Sequence, residues 1–146
     1  MDSIDHAIIA ELRRDGRISN QDLARAVGLT PAPCLRRVRR MEAEGIIRGY
    51  HADIDPAAVG QGFEVIILVN IENNNHEATS GFERRILAMD EVVEFRRMFS
   101  QPDYVVRARF ADIEAYEKWM TNEFHRDPAI MRIHSHITMK VLKDEK

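Results

Sequence analysis

Cysteine is nearly absent from this chain: Cys34 is the only one among 146 residues. A disulfide framework and a cysteine-based zinc site are therefore excluded, and Cys34 reads most simply as a small buried hydrophobe. Long apolar runs are lacking as well. The longest, Val65 to Val69, is far too short to cross a bilayer, and no basic stretch leads into an apolar core at the start. The expectation is a cytoplasmic protein without a membrane partner. No glycine-rich phosphate loop, nucleophile elbow or metalloprotease helix is found. No catalytic residue, metal site or cofactor is expected from motifs of that kind.

Positive charge is scarce overall, at a net −3, but it is unevenly spread. Residues 1–50 hold nine arginines against seven acidic residues, and the remainder holds twelve basic against seventeen acidic. A small basic head on an acidic body fits that distribution, and a nucleic-acid partner is compatible with it.

The head reads as three helices. Asp2 or Ser3 can cap the first, in which Ile4, Ala7, Ile8 and Leu12 recur at helical spacing before Asp15 and Gly16 close it. Ser19 caps the second with Asp22 as capping-box partner; Leu23, Ala24 and Val27 form its stripe, and Gly28 ends it. Thr30 is the candidate N-cap of the third, with Pro31 and Pro33 in a first turn where a missing N–H costs nothing. At 100° per residue, Cys34, Leu35, Val38 and Met41 fall on one side and Arg36, Arg37, Arg39 and Arg40 on the other. Four arginines side by side suit phosphates and guanine edges in a major groove. The alternative is a solvated charged face. Glu42 and Glu44 follow the arginine run, so its early turns have no acidic partner on the same helix.

Beyond the helices, Ile46, Ile47, Tyr50, Ala52 and Ile54 suggest the extended chain of a wing, broken at Asp55 and Pro56. Residues 1–55 are thus expected as a winged helix-turn-helix, 56–62 as a linker, and 63–146 as a second domain. From Phe63 the period changes: a strand to Ile71, a polar loop at Asn73, Asn74 and Asn75, and a helix marked by Phe82, Ile86 and Leu87. Next come strands at Val92 to Phe99 and Tyr104 to Phe110, a helix with Ile113, Tyr116, Met120 and Phe124, and a last strand around Met131 to Val141. This β-α-β-β-α-β order is the split ferredoxin-like arrangement, making the chain α+β. Phe63, Val65, Ile67 and Val69 would face the helices, leaving Ile66 and Leu68 on a second face with Glu94, Arg96, Arg107, Arg109, His134 and His136. Such a face implies a homodimer formed through the sheet.

Several motifs together resemble the Lrp/AsnC family, the leucine-responsive and feast/famine regulators of bacteria and archaea. They are Ile4-Asp5 through Asp15-Gly16-Arg17, Leu29-Thr30-Pro31-Ala32-Pro33-Cys34 with Arg36-Arg37-Val38, Glu44-Gly45-Ile46-Ile47 with Gly49-Tyr50, and the turn Gln101-Pro102-Asp103-Tyr104. The resemblance covers essentially the whole chain. It implies a DNA-binding transcriptional regulator that binds double-stranded operator DNA, forms a homodimer or an octamer, and responds to a small metabolite, typically an amino acid. Thr30, Ala32 and Pro33 then join Arg36, Arg37, Arg39 and Arg40 as the DNA-facing set. Ser100, Gln101, Pro102, Asp103, Tyr104 and Ser135 become the effector-facing set. Two positions depart from the family pattern: Ser100 stands where glycine is usual, and Ile133 replaces a small hydroxyl residue, leaving Ser135.

Other readings stay open. His134 and His136 share a strand face as metal ligands would, without an evident third ligand. Tyr104 is either a core aromatic or a ligand contact. An enzyme on the ferredoxin-like half would have only Asp103, His125 and Asp127 as loosely grouped acid–base candidates, and a regulator without any effector would differ only at the sensing site.

Overall fold

The computed structural model of the protein describes residues 1–72 and 76–143. The expected loop at Asn73 to Asn75 lies outside them. The chain divides between Asp53 and Ile54 into two compact units.

The first unit holds α1 (Ser3–Arg14), α2 (Asn20–Ala26) and α3 (Pro31–Ala43). Asp2 and Asp5 form a reciprocal capping box on α1, and the Ser19 side chain accepts from the Asp22 N–H on α2. Thr30 occupies the N-cap of α3 without a side-chain bond. In place of that bond, the Asn20 amide donates to the Pro31 carbonyl at 2.9 Å, fastening the start of α2 to the start of α3. Ile8, Leu23, Ala24, Cys34, Val38 and Met41 make the core. Leu35, expected inside, is exposed. The packed stripe of α3 centres on Cys34, Val38 and Met41, and Leu35 lies about 100° around the helix from Cys34.

The wing strand expected from Ile46 to Ile54 does not form within the chain. Gly45 adopts φ +70°, and the N–H groups of Ile46 and Ile47 both return to the Met41 carbonyl. Those bonds share the Met41 carbonyl near the end of α3 and turn the chain back on it. Tyr50 then donates its hydroxyl to Glu42 at 2.9 Å.

The second unit begins with a single 3₁₀ turn, Ala57–Val59, closed by Gly60 at φ +73°. Its regular elements are β1 (Phe63–Ile71), α4 (His76–Leu87), β2 (Val92–Arg97), β3 (Tyr104–Phe110), α5 (Ile113–Trp119) with a π-turn at Met120–Phe124, and β4 (Ile130–Ile137). The sheet order is β2-β3-β1-β4, with every neighbouring pair antiparallel. This is the ferredoxin-like arrangement. The strands β2 and β4 end earlier than the alternation suggests. Met98 already donates its N–H across the turn to the Asp103 carbonyl, and beyond Ile137 the bond from the Thr138 N–H to the Glu64 carbonyl is the only further backbone bond of the β1–β4 pairing among the described residues.

Val65, Ile67 and Val69 on β1 stand beside Ala108, Val106 and Tyr104 on β3, all buried against Phe82 and Ile86 of α4 and Trp119 of α5. Both helices therefore cover one face. Phe82 is fully buried, with ring centroids 6.0 Å from Phe95 and 5.1 Å from Tyr104. Phe82→Ala is expected to destabilise this unit by about 3–5 kcal/mol, seen as a lower urea midpoint by far-UV circular dichroism.

On the opposite face Ile66 pairs with Arg107 and His136, and Leu68 with Val105 and His134. A charge ladder crosses it: Glu64 meets Arg109 at 3.0 Å and Arg107 at 3.7 Å, and Arg107 meets Glu94 at 3.1 Å. Ile66, Leu68 and Val105 remain half-buried.

Candidate functional site

The arginines of α3 divide into two pairs. Arg36 and Arg39 are exposed and have no ion-pair partner among the described residues. Together with exposed Ala32 they fall within about 60° of one another around the helix. Arg37 and Arg40, expected on the same outward face, are held by acidic residues of α1. Arg37 Nη1 donates to Asp2 Oδ2 and Asp5 Oδ1, both at 2.8 Å, and Arg40 Nη2 donates to Asp5 Oδ2 at 2.7 Å. A helical wheel of α3 alone is blind to these partners, which lie more than thirty residues earlier in the chain. The capping box is the only local signal that places both carboxylates at the start of α1.

The Asp2 backbone N–H and then Arg37 and Arg40 hold the Asp5 carboxyl well below its ordinary value. The Asp2 carboxyl is likewise lowered, by the Asp5 N–H and Arg37. The Arg37 guanidinium is raised in return by the two carboxylates. Thr30 is exposed at the mouth of the helix and Pro33 is half-buried.

The second expected site, the turn between β2 and β3, is anchored by Asp103. Its carboxylate accepts the Ile71 N–H at 2.9 Å, which ties the turn to the end of β1. Ser100 and Gln101 are exposed, Pro102 is half-buried behind a cis peptide bond, and Phe99 just before them is fully exposed. Tyr104 turns inward. Its ring is 1 % exposed and stacks at 5.1 Å on Phe95, its hydroxyl donates to Glu83 at 2.8 Å, and burial, with Glu83, pushes the phenol up to about 12. Ser135 is exposed on β4, opposite Ile67. It lies three residues along and two strands across from Asp103, a separation on the order of 14 Å by strand geometry. One protomer therefore does not bring Ser135 to the turn.

An open cavity of about 510 Å³ lies elsewhere, between α4 and Pro128, lined by Glu72, Glu77, Ala78, Gly81, Arg85, Pro128 and Ala129. None of the expected effector residues lines it. The ion pair beside it, Arg85 with Asp127 at 2.9 Å, was not anticipated from the sequence, where the two residues lie 42 positions apart. Asp103, His125 and Asp127 make no hydrogen bond to one another among the described residues; Asp103 serves Ile71, Asp127 serves Arg85, and His125 is exposed. His134 and His136 are exposed on one sheet face, and no cluster of three or more metal-ligating side chains occurs among the described residues. No helix among those residues is long and apolar enough to cross a membrane.

Comparison with known proteins follows the same division of the chain. Residues 1–48 match the family model of winged helix-turn-helix DNA-binding domains, and residues 64–146 match that of the Lrp/AsnC ligand binding domain. The leucine-responsive regulatory protein of Haemophilus influenzae is 34% identical over 143 residues, spanning 98% of this chain and 86% of that protein. Its counterpart in Escherichia coli is 32% identical over 98% of this chain and 87% of its own length. Among solved structures, a transcriptional regulator from Neisseria meningitidis in complex with L-methionine superposes with a TM-score of 0.95 at 28% identity, covering 99% of this chain and 94% of that one. An AsnC family regulator from Agrobacterium tumefaciens gives 0.93 at 32% identity, covering 99% and 94%.

A DNA-binding head followed by a ligand-binding domain of ferredoxin-like topology defines a transcriptional regulator. The chain belongs to the Lrp/AsnC family.

Proposed function

We propose that this regulator binds operator DNA as a homodimer through the exposed face of α3, and that an amino acid bound at the β2–β3 turn changes that affinity. The observation carrying the DNA half is the pair Arg36 and Arg39, two solvent-facing cations without an ion-pair partner among the described residues, in the unit that matches DNA-binding domains. The effector half is supported by the L-methionine held by the Neisseria meningitidis regulator, whose fold overlays this chain. Ser100 and Gln101 offer a hydroxyl and an amide beside exposed backbone, which suits the carboxylate and ammonium of an amino acid. Ser135 contributes from a neighbouring protomer, since it stands too far from the turn of its own. Residues 1–55 act as the reading head and 63–146 as the sensing and assembly domain. The protein works in the cytoplasm as a regulator and not as an enzyme.

A second reading, a regulator that responds to no effector, is favoured by one feature: the turn has few free polar groups. Asp103 is committed to Ile71, Tyr104 is committed to Glu83, and Ser100 adds a side chain where the family usually has none.

Calorimetry on the full chain with a panel of amino acids including L-methionine and L-leucine, alongside operator titrations with and without each, separates the two. An effector acting through this domain is expected to shift operator affinity by about 5- to 150-fold, and Ser100→Gly is expected to strengthen its binding. Absence of heat and of any affinity shift across the panel establishes the effector-free reading.

A further inference from the structure

A buried carboxylate on α1 sits behind the exposed arginines of α3. Asp5 is 1 % exposed, and both of its carboxylate oxygens are engaged. Oδ1 takes Arg37 Nη1 at 2.8 Å, while Oδ2 takes Arg40 Nη2 at 2.7 Å and the Asp2 N–H at 3.0 Å. Asp2 closes the arrangement by accepting the Asp5 N–H at 2.9 Å and Arg37 Nη1 at 2.8 Å. The two arginines end in different states. Arg37 is 27% exposed and meets both carboxylates through one nitrogen, whereas Arg40 is 45% exposed, meets Asp5 through Nη2 and has Glu44 at 3.8 Å from its Nε, so that Nη1 is the donor group left without a partner among the described residues.

A guanidinium is a rigid plane with five N–H donors, so fixing one edge fixes the direction of the others. The outward edge of Arg40 lies one helical turn beyond Arg36, on the same i, i+4 ridge. We propose that Asp5 is a positioning residue for DNA recognition: with Asp2 it locks Arg37 as a strut between α1 and α3, and it holds Arg40 so that its free N–H edge meets DNA in one orientation.

This inference rests on the reading of α3 as the DNA-facing helix. Its physical content is that the rotamer freedom an unrestrained arginine gives up on docking has already been given up in the free protein. The two carboxylates also offset two of the four arginine charges. Attraction to any phosphate backbone is thereby reduced, while a contact that depends on orientation is kept.

The test uses the full chain and two probes: a duplex selected by the protein from a randomised pool, and the same duplex with its sequence scrambled. Asp5→Asn is expected to weaken binding to the selected duplex about tenfold, to leave the scrambled duplex unchanged or bound more tightly, and to steepen the salt dependence by about one phosphate contact. Arg40→Lys retains the charge and loses the fork. It is expected to show the same selective loss, and the double variant is expected to be no worse than either single one. Equal losses on both duplexes, or additive losses in the double variant, overturn the proposal and leave Asp5 with a structural role only. If Asp5→Asn is unfolded at the assay temperature, the ratio of the two affinities in Arg40→Lys decides by the same criterion. Arg36→Ala/Arg39→Ala serves as the control for the underlying reading. Insensitivity of that pair refutes α3 as the reader, whereas a sensitive pair with an unchanged Asp5→Asn refutes only the positioning role.

Discussion

Operator affinity is expected to fall at least about 30-fold when Arg36 and Arg39 are both replaced by alanine, with no change in the melting temperature of the protein. An arginine reading a guanine edge contributes about 1–3 kcal/mol, and one touching phosphate contributes about one unit of salt slope. The lower figure for each of two arginines already gives a loss of that size. Stability is expected to stay put because both side chains are exposed and make no ion pair among the described residues. Arg37→Ala is the informative contrast: it removes the partner shared by Asp2 and Asp5 and should lower the melting temperature. Anisotropy titrations over a range of salt, read beside thermal melts, distinguish these outcomes. If the double variant binds with unchanged affinity, α3 is not the reading helix.

Leu68→Lys is expected to convert the assembled protein into monomers and to reduce operator affinity by about two to four orders of magnitude. Leu68 lies on the sheet face that the helices leave open, between Val105 on one side and His134 on the other. In a two-fold symmetric dimer the same patch faces itself, so each substitution brings two new cations toward one axis, where Arg107 and the neighbouring histidines already stand. Two linked heads bind jointly through effective concentration, and separating them removes a factor of about 10²–10⁴. Light scattering at micromolar concentration reads the assembly and anisotropy reads the affinity. A variant that stays assembled, or unaltered protein that is already monomeric, rules out this face as the interface.

Where burial alternates strictly, the fold is legible in the sequence. β1 from Phe63 to Ile71 and β3 from Tyr104 to Phe110 carry one buried residue in two over most of their length, and their bounds follow from that period. The segment Ile46 to Ile54 also holds several apolar residues but pairs with no strand among the described residues, and its first N–H groups are taken by the end of α3. Local pattern records what a segment could do, while pairing depends on what is adjacent in space. The same limit governs the candidate sites. The wheel of α3 brings out Arg36 and Arg39, but Arg37 and Arg40 are decided by Asp5, a residue that only the folded head brings to them. Tyr104 likewise sits in a turn motif that suggests ligand contact, and the aromatic cluster of Phe82 and Phe95 draws it into the core.

The sole tryptophan of the chain, Trp119, lies in the core of the second unit, 3 % exposed, with its ring 4.7 Å from Phe124 and 5.1 Å from Phe110. Its emission is therefore an optical label for the sensing half alone. The helical head, built around Ile8, Cys34 and Met41, is dark at that wavelength, so its events register in helical ellipticity or in a dye on the DNA. The second unit of the regulator thus carries an intrinsic optical label that the head lacks.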